Sequence, residues 1–117
     1  MAYVDGFVLA VKTRKLAAYR KMSSLAGKVW KAHGALEYRE CVGDDLQTEY
    51  GLPFQKLVKP KRGESVVFSW IVYKSKADRK RVLKKVMADK RLKMDPKNMP
   101  FDMKRMSYGG FKVIVDM

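Results

Sequence analysis

Val66-Val67-Phe68-Ser69-Trp70-Ile71-Val72-Tyr73 is the stretch that decides the fold. β-branched and aromatic residues fill it, as a strand requires. Both alternating sets are apolar: Val66, Phe68, Trp70 and Val72 on one side, Val67, Ser69, Ile71 and Tyr73 on the other. Such a strand is central and covered on both faces. Tyr3 to Val11 reads the same way. Tyr3, Asp5, Phe7, Leu9 and Val11 share one face, and Val4, Gly6, Val8 and Ala10 the other. Asp5 is the exception, because a carboxylate in a covered strand needs a partner or a proton.

Two further strands are expected at the edges. In Ala35 to Val42, Leu36, Tyr38, Glu40 and Val42 alternate with Glu37, Arg39 and Cys41, so both faces carry charge. Phe111 to Val115 reads as a closing strand, with Lys112 and Asp116 marking it as an edge. Between the first two strands, Thr13 is placed to N-cap a helix of about 20 residues. Leu16, Tyr19, Met22, Ala26, Val29, Trp30 and His33 fall on its apolar arc, and Gly34 ends it. A second helix opens on a Ser75-x-x-Asp78 box and buries Val82, Leu83, Val86 and Met87. Gly43 to Ser65 has no clean period and is expected to be a functional or mobile loop. Asp95-Pro96 and Asn98 mark a turn.

The order is strand, helix, strand, strand, helix, strand, with right-handed crossovers. Two central and two edge strands match an α+β, ferredoxin-like βαββαβ plait over residues 1–117, a single domain with a four-stranded antiparallel sheet in order 4-1-3-2. Two helices cover only one sheet face. The other face needs an apolar cover, and a second copy of the chain is the simplest one.

Composition narrows the function classes. The net charge of +14 makes nucleic acid the first partner to weigh. No apolar run is long enough to span a membrane, and Asp5-Gly6 interrupts any leader-like start, so a cytoplasmic protein is expected. Cys41 stands alone, without a disulfide partner or a thiolate metal site, and reads as a buried small hydrophobe. His33 is the one histidine, which excludes a multi-histidine metal site.

Met99 to Phe111 combines an acid, two bases and three large apolar side chains between Pro100 and Gly109-Gly110. It is expected to cross one end of the fold and bring charge to a cavity mouth. Asp5, His33, Glu37 and Asp102 are the candidate proton-transfer groups. Lys104 and Arg105 are expected to bind an anion, with Tyr38 and Trp70 as an apolar wall. Topology puts Asp5 and His33 at one end of the sheet, as the favoured chemical pair, and Lys104 and Arg105 in a separate patch. On the second helix, Lys80, Arg81, Lys84 and Lys85 form a face suited to phosphates. Tyr108-Gly109-Gly110-Phe111 echoes an RNA-recognition motif but opens the fourth strand instead of lying on the third, so only weak, sequence-independent binding is expected.

Tyr3-Val4-Asp5-Gly6-Phe7, His33 to Asp45, Val66 to Tyr73 and Met99 to Phe111 resemble the YbaA-like family, domain of unknown function 1428. The resemblance covers nearly the whole chain. It implies a homodimeric α/β-barrel in the bacterial cytoplasm, no established activity and no catalytic residue to carry over. The chain departs from the family pattern in the Gln47 to Phe54 loop and in its basic second helix. Fold-level analogy adds a small-molecule site between sheet and helices, without a cofactor. The alternatives are polyanion binding and a structural or regulatory dimer without ligand.

Overall fold

The computed structural model describes residues 1–92 and 98–117. The turn expected at Asp95-Pro96 lies outside them. Strand β1 is Tyr3–Lys12, helix α1 Leu16–Ala32, β2 Glu37–Val42, α2 Phe54–Val58, β3 Glu64–Tyr73, α3 Lys76–Met87 and β4 Ser107–Lys112. The strands form one antiparallel sheet in the order β2-β3-β1-β4. The two strands with apolar alternation on both sides are central, and the two charged ones are edges. The described chain is flattened, 38 × 37 × 20 Å.

Register fixes which side chains share a row. Arg39, Trp70, Gly6 and Gly109 stand side by side across the sheet, as do Glu37, Val72, Val4 and Phe111. Tyr3, Asp5, Leu9 and Val11 of β1 and Val67, Ser69, Ile71 and Tyr73 of β3 are buried beneath the helices. Val29, Val82 and Val86 meet Ile71 and Tyr73 there. Tyr19 meets Leu9, Val11 and Val67 further along. On the opposite face α2 covers one end, where Val66 and Ala10 are buried, while Phe68 is 40% and Phe111 61% exposed.

Several local expectations change. Thr13 opens a 3-10 turn (Thr13–Lys15) and its hydroxyl bonds Ser65 Oγ at 2.8 Å, so it caps nothing; α1 starts at Leu16. Gly34, at φ 118°, follows the α1 C-cap His33 as expected. Ser75 Oγ accepts from Asp78 N at 3.0 Å, as the box requires. Met87 is exposed, while Asp78 is buried against Arg81. The long Gly43 to Ser65 connection contains α2, whose Phe54 ring meets Phe68 edge-on at 5.8 Å. Cys41 is exposed, because it sits on an edge strand and faces the uncovered side of the sheet.

The closing strand shifts toward the N-terminus of its expected span. Gly109-Gly110 lies inside β4, and pairing ends near Val113, whose N–H bonds Ala2 O at 3.1 Å. Val113 to Val115 are strand formers, but β4 ends at Lys112, which pairs with Tyr3, the first residue of β1. Gly110 is required by the core: a Cβ there would stand 2.6 Å from Tyr3 Cε2.

Candidate functional site

A concavity of about 1140 Å³ lies between α1 and the outer edge of β2. The helix contributes Tyr19, Ser23 and Gly27, one turn apart on the face turned to the sheet. Strand β2 contributes Tyr38 and Glu40, which alternation points to the same side. Tyr19 donates to Glu40 Oε2 at 2.8 Å, and Ser23 Oγ also donates to Oε2. Ser23 Oγ and Tyr38 OH lie 2.9 Å apart. Burial pushes the Tyr38 phenol up to about 12. Burial and then the Glu40 charge push the Tyr19 phenol up further. Both tyrosines therefore stay protonated donors at neutral pH.

Gly27 makes room for this floor, since a Cβ there would stand 2.9 Å from Tyr38 Cδ1. Arg20, Lys28, Lys31 and Arg39 line the rim. The result is a polar, hydroxyl-rich floor beneath a cationic mouth. A carboxylate offers about four acceptor positions, so Glu40 keeps capacity for a ligand donor. Among the described residues, no group of three or more His, Cys, Asp or Glu is placed to hold a metal ion.

Of the ligand residues expected from sequence, Tyr38 alone lines this groove. Trp70 stands on the opposite sheet face, because Tyr38 pairs with Ile71 and Arg39 with Trp70. The two cannot form one wall. Trp70 Nε1 donates to Glu37 Oε1 at 3.0 Å, and Glu37 also accepts from Arg39 Nε at 2.8 Å. Those bonds, Arg39 first, hold the Glu37 carboxyl below its usual range. Glu37 thus bridges Arg39 and Trp70, at the edge of the groove it also lines.

Asp5 and His33 do not pair either. Asp5 is 3% exposed and held by Arg79, whose Nε lies 2.8 Å from Oδ1 and 3.0 Å from Oδ2. The guanidinium also sits over the Tyr3 ring, 5.5 Å from its centroid. Trp30 Nε1 donates to Tyr73 OH at 3.0 Å, and burial followed by the Asp5 charge raises the Tyr73 phenol. His33 Nε2 lies 2.7 Å from Asp89 Oδ2. Arg91 and then His33 pull the Asp89 carboxyl well down. Arg79 and Asp89 supply these partners from α3 and the segment after it, at a sequence distance no local pattern spans.

Asp102, Lys104 and Arg105 form the separate group that topology required. Phe101 bridges to Val11, near the far end of β1 from Asp5. Asp102 accepts from Lys104 N at 3.0 Å and caps a 3-10 turn. Lys104 is exposed, and none of the three lines the groove. This groove therefore takes none of its charge from that segment. Arg105 donates to both oxygens of the buried Glu64, at 2.7 and 2.8 Å, and so closes a structural ion pair instead of offering an anion site. Those bonds lower Glu64 from its usual 4.5 to about 2. A depressed folded pKa stabilises above the unfolded value, and the contribution is lost as pH falls through the folded one. Arg105→Ala is therefore expected to be less stable than the parent at neutral pH. The gap should narrow as pH falls from about 4.5 to about 2, measured by urea unfolding at each pH.

Lys80, Arg81, Lys84 and Lys85 are all exposed on α3, with Arg81 paired to Asp78. No described helix is long and apolar enough to cross a membrane.

The sequence profile of a family described as protein of unknown function (DUF1428) matches residues 2–103. The chain is 47% identical over 116 residues to the uncharacterized protein YbaA of Escherichia coli K12, covering 99% of each chain. It is equally similar to YbaA of Shigella flexneri, 47% over 116 residues and 99% of each chain. Among solved structures, the de novo designed protein Foldit4 aligns over 96% of this chain and 97% of its own, with a TM-score of 0.45 and 13% identity, which carries no argument. Matched along most of its length by the profile and along nearly all of it by YbaA, the chain belongs to the DUF1428 family.

Proposed function

We propose that the protein is a cytoplasmic homodimer of ferredoxin-like protomers, an α/β-barrel, that binds a small anionic molecule between α1 and β2. The groove with its Glu40 floor and cationic rim carries this reading. Its volume of about 1140 Å³ is at or slightly above the range of small-molecule pockets. A hydroxylated organic acid suits both ends. Its carboxylate meets Arg20 and Lys28, and its hydroxyl donates to Glu40 or meets Tyr38. The apolar open face of the sheet supports the homodimer, since an uncovered face of this kind marks an interaction surface.

The test is thermal shift and calorimetry with 4-hydroxybenzoate, benzoate and inorganic phosphate. 4-Hydroxybenzoate is expected to raise the melting temperature more than benzoate does. Arg20→Glu with Lys28→Glu should abolish the effect while circular dichroism stays unchanged. No shift with any of the three probes, or a shift that survives the double substitution, rejects the groove as the site.

A second reading rests on α3, where four neighbouring bases project into solvent. It is a weak, sequence-independent contact to polyanions, lost steeply as salt is raised.

A further inference from the structure

The groove between α1 and β2 is bounded on one side by backbone. A pocket walled by one face of a strand touches every second residue. This one touches every residue from Glu37 to Val42. It therefore follows the edge of the sheet, for roughly 20 Å at 3.4 Å per residue. β2 is the outermost strand on that side. Gly43 N donates to Val66 O at 2.8 Å, continuing the β2–β3 register. Alternation then turns the backbone groups of Arg39 and Cys41 inward to β3, and those of Tyr38, Glu40 and Val42 outward into the groove. Among the described residues nothing bonds these outward N–H and C=O groups. Such an edge is a template for another chain, and β2 has no bulge, proline or lysine to blunt it. Its Glu37 and Arg39 pair with each other at 2.8 Å.

The other wall carries one sign of charge. Helix α1 has no acidic residue, and its Arg20 and Lys28 stand exposed along the groove. It runs antiparallel to β2, since Tyr38 meets Gly27 and Ser23 while Glu40 meets Ser23 and Tyr19. Lys28 therefore belongs to the Tyr38 end of the groove and Arg20 to the Val42 end.

We propose that the β2 edge takes an extended acidic peptide of another protein as an added strand, antiparallel to β2. The inference rests on the anion-binding groove proposed above and names a partner for it. Arg20 and Lys28 are two helical turns apart, about 12 Å. Acids at i and i+4 of a strand share a face and lie about 14 Å apart. Opposite Val42 and Tyr38, both turn toward α1 and reach Arg20 and Lys28. Residue i+2 falls beside Glu40, whose carboxylate already accepts from Tyr19 and Ser23, so a hydroxyl suits that position and a third acid does not. Residues i+1 and i+3 lie beside Cys41 and Arg39, on the other face of the sheet.

The probe is the end-capped, fluorescein-labelled heptapeptide Val-Glu-Val-Thr-Val-Glu-Val, read by fluorescence anisotropy. N-methylation of its threonine removes the amide that donates to the Glu40 carbonyl, and is expected to weaken binding about tenfold or more. N-methylation of the valine after it, whose amide faces away from β2, should change binding less than about threefold. With lysine in place of both glutamates, binding should be lost. Arg20→Glu with Lys28→Glu should lose the acidic peptide and gain the basic one, with circular dichroism unchanged. Equal effects of the two N-methyl groups overturn strand addition and leave the anion groove standing. No peptide binding, beside a melting-temperature rise with 4-hydroxybenzoate, overturns the peptide as partner and keeps the small acid. Anisotropy that rises and then falls as protein is added overturns it in favour of a second copy on this edge. Failure of the peptide and of all the small anions overturns both readings.

Discussion

Arg79→Ala is expected to destabilise the protein by about 3–5 kcal/mol, the usual cost of leaving one member of a buried ion pair unmatched. For a chain of this size that lowers the melting temperature by roughly 10 °C or more. Asp5 is 3% exposed, between α3 and the sheet, and Arg79 Nε reaches both its oxygens. Arg79 also stacks over Tyr3, so its loss removes packing along with charge. Equilibrium unfolding in urea reads the effect. Adding Asp5→Asn to Arg79→Ala should recover part of the loss, because the stranded charge is gone. If Arg79→Ala costs under about 1 kcal/mol, the pair is not the anchor described here.

Gly6→Leu is expected to weaken self-association about 100-fold, or about 2.8 kcal/mol, with secondary structure unchanged. The side chain projects from the open face of the sheet, where a second copy is proposed to pack. Within the protomer, the added Cβ meets only Phe111 at an ordinary 3.5 Å, so the fold tolerates it. Sedimentation equilibrium across micromolar concentrations, beside far-ultraviolet circular dichroism, measures both. Gly109→Leu makes the same change from β4 and carries the test if Gly6→Leu does not fold. Parent-like association of both variants would show that the partner does not use this face.

Alternation of side chains was enough to find the sheet. Val66 to Tyr73 and Tyr3 to Val11 announce central strands through two apolar faces, and Glu37, Arg39 and Glu40 announce an edge, because the period of two is local chemistry. The helix stop at Gly34 and the Ser75–Asp78 box are local for the same reason. Strand ends were less legible. Val113 to Val115 have the composition of a strand, yet β4 stops at Lys112, opposite Tyr3 where β1 starts, and where a partner strand starts is not written in the strand that pairs with it.

The candidate site divides along the same line. Tyr38 and Glu40 could be assigned to one face of β2 from sequence, and Tyr19 to the apolar arc of α1. That Tyr19, Ser23 and Tyr38 converge around Glu40 depends on how α1 crosses the sheet, as does the space Gly27 leaves for the Tyr38 ring. Sequence by itself determined the order of the four strands and the two long helices, the central and edge strands and the separation of Asp5 from Arg105, but not α2. Only the tertiary structure decided that Asp5 meets Arg79, His33 meets Asp89, and Tyr38 and Trp70 stand on opposite faces. The reason is physical. Which face a residue occupies follows from its neighbours in the chain, whereas its charge partner is set by helix placement and strand register, which pair residues as far apart in sequence as Asp5 and Arg79.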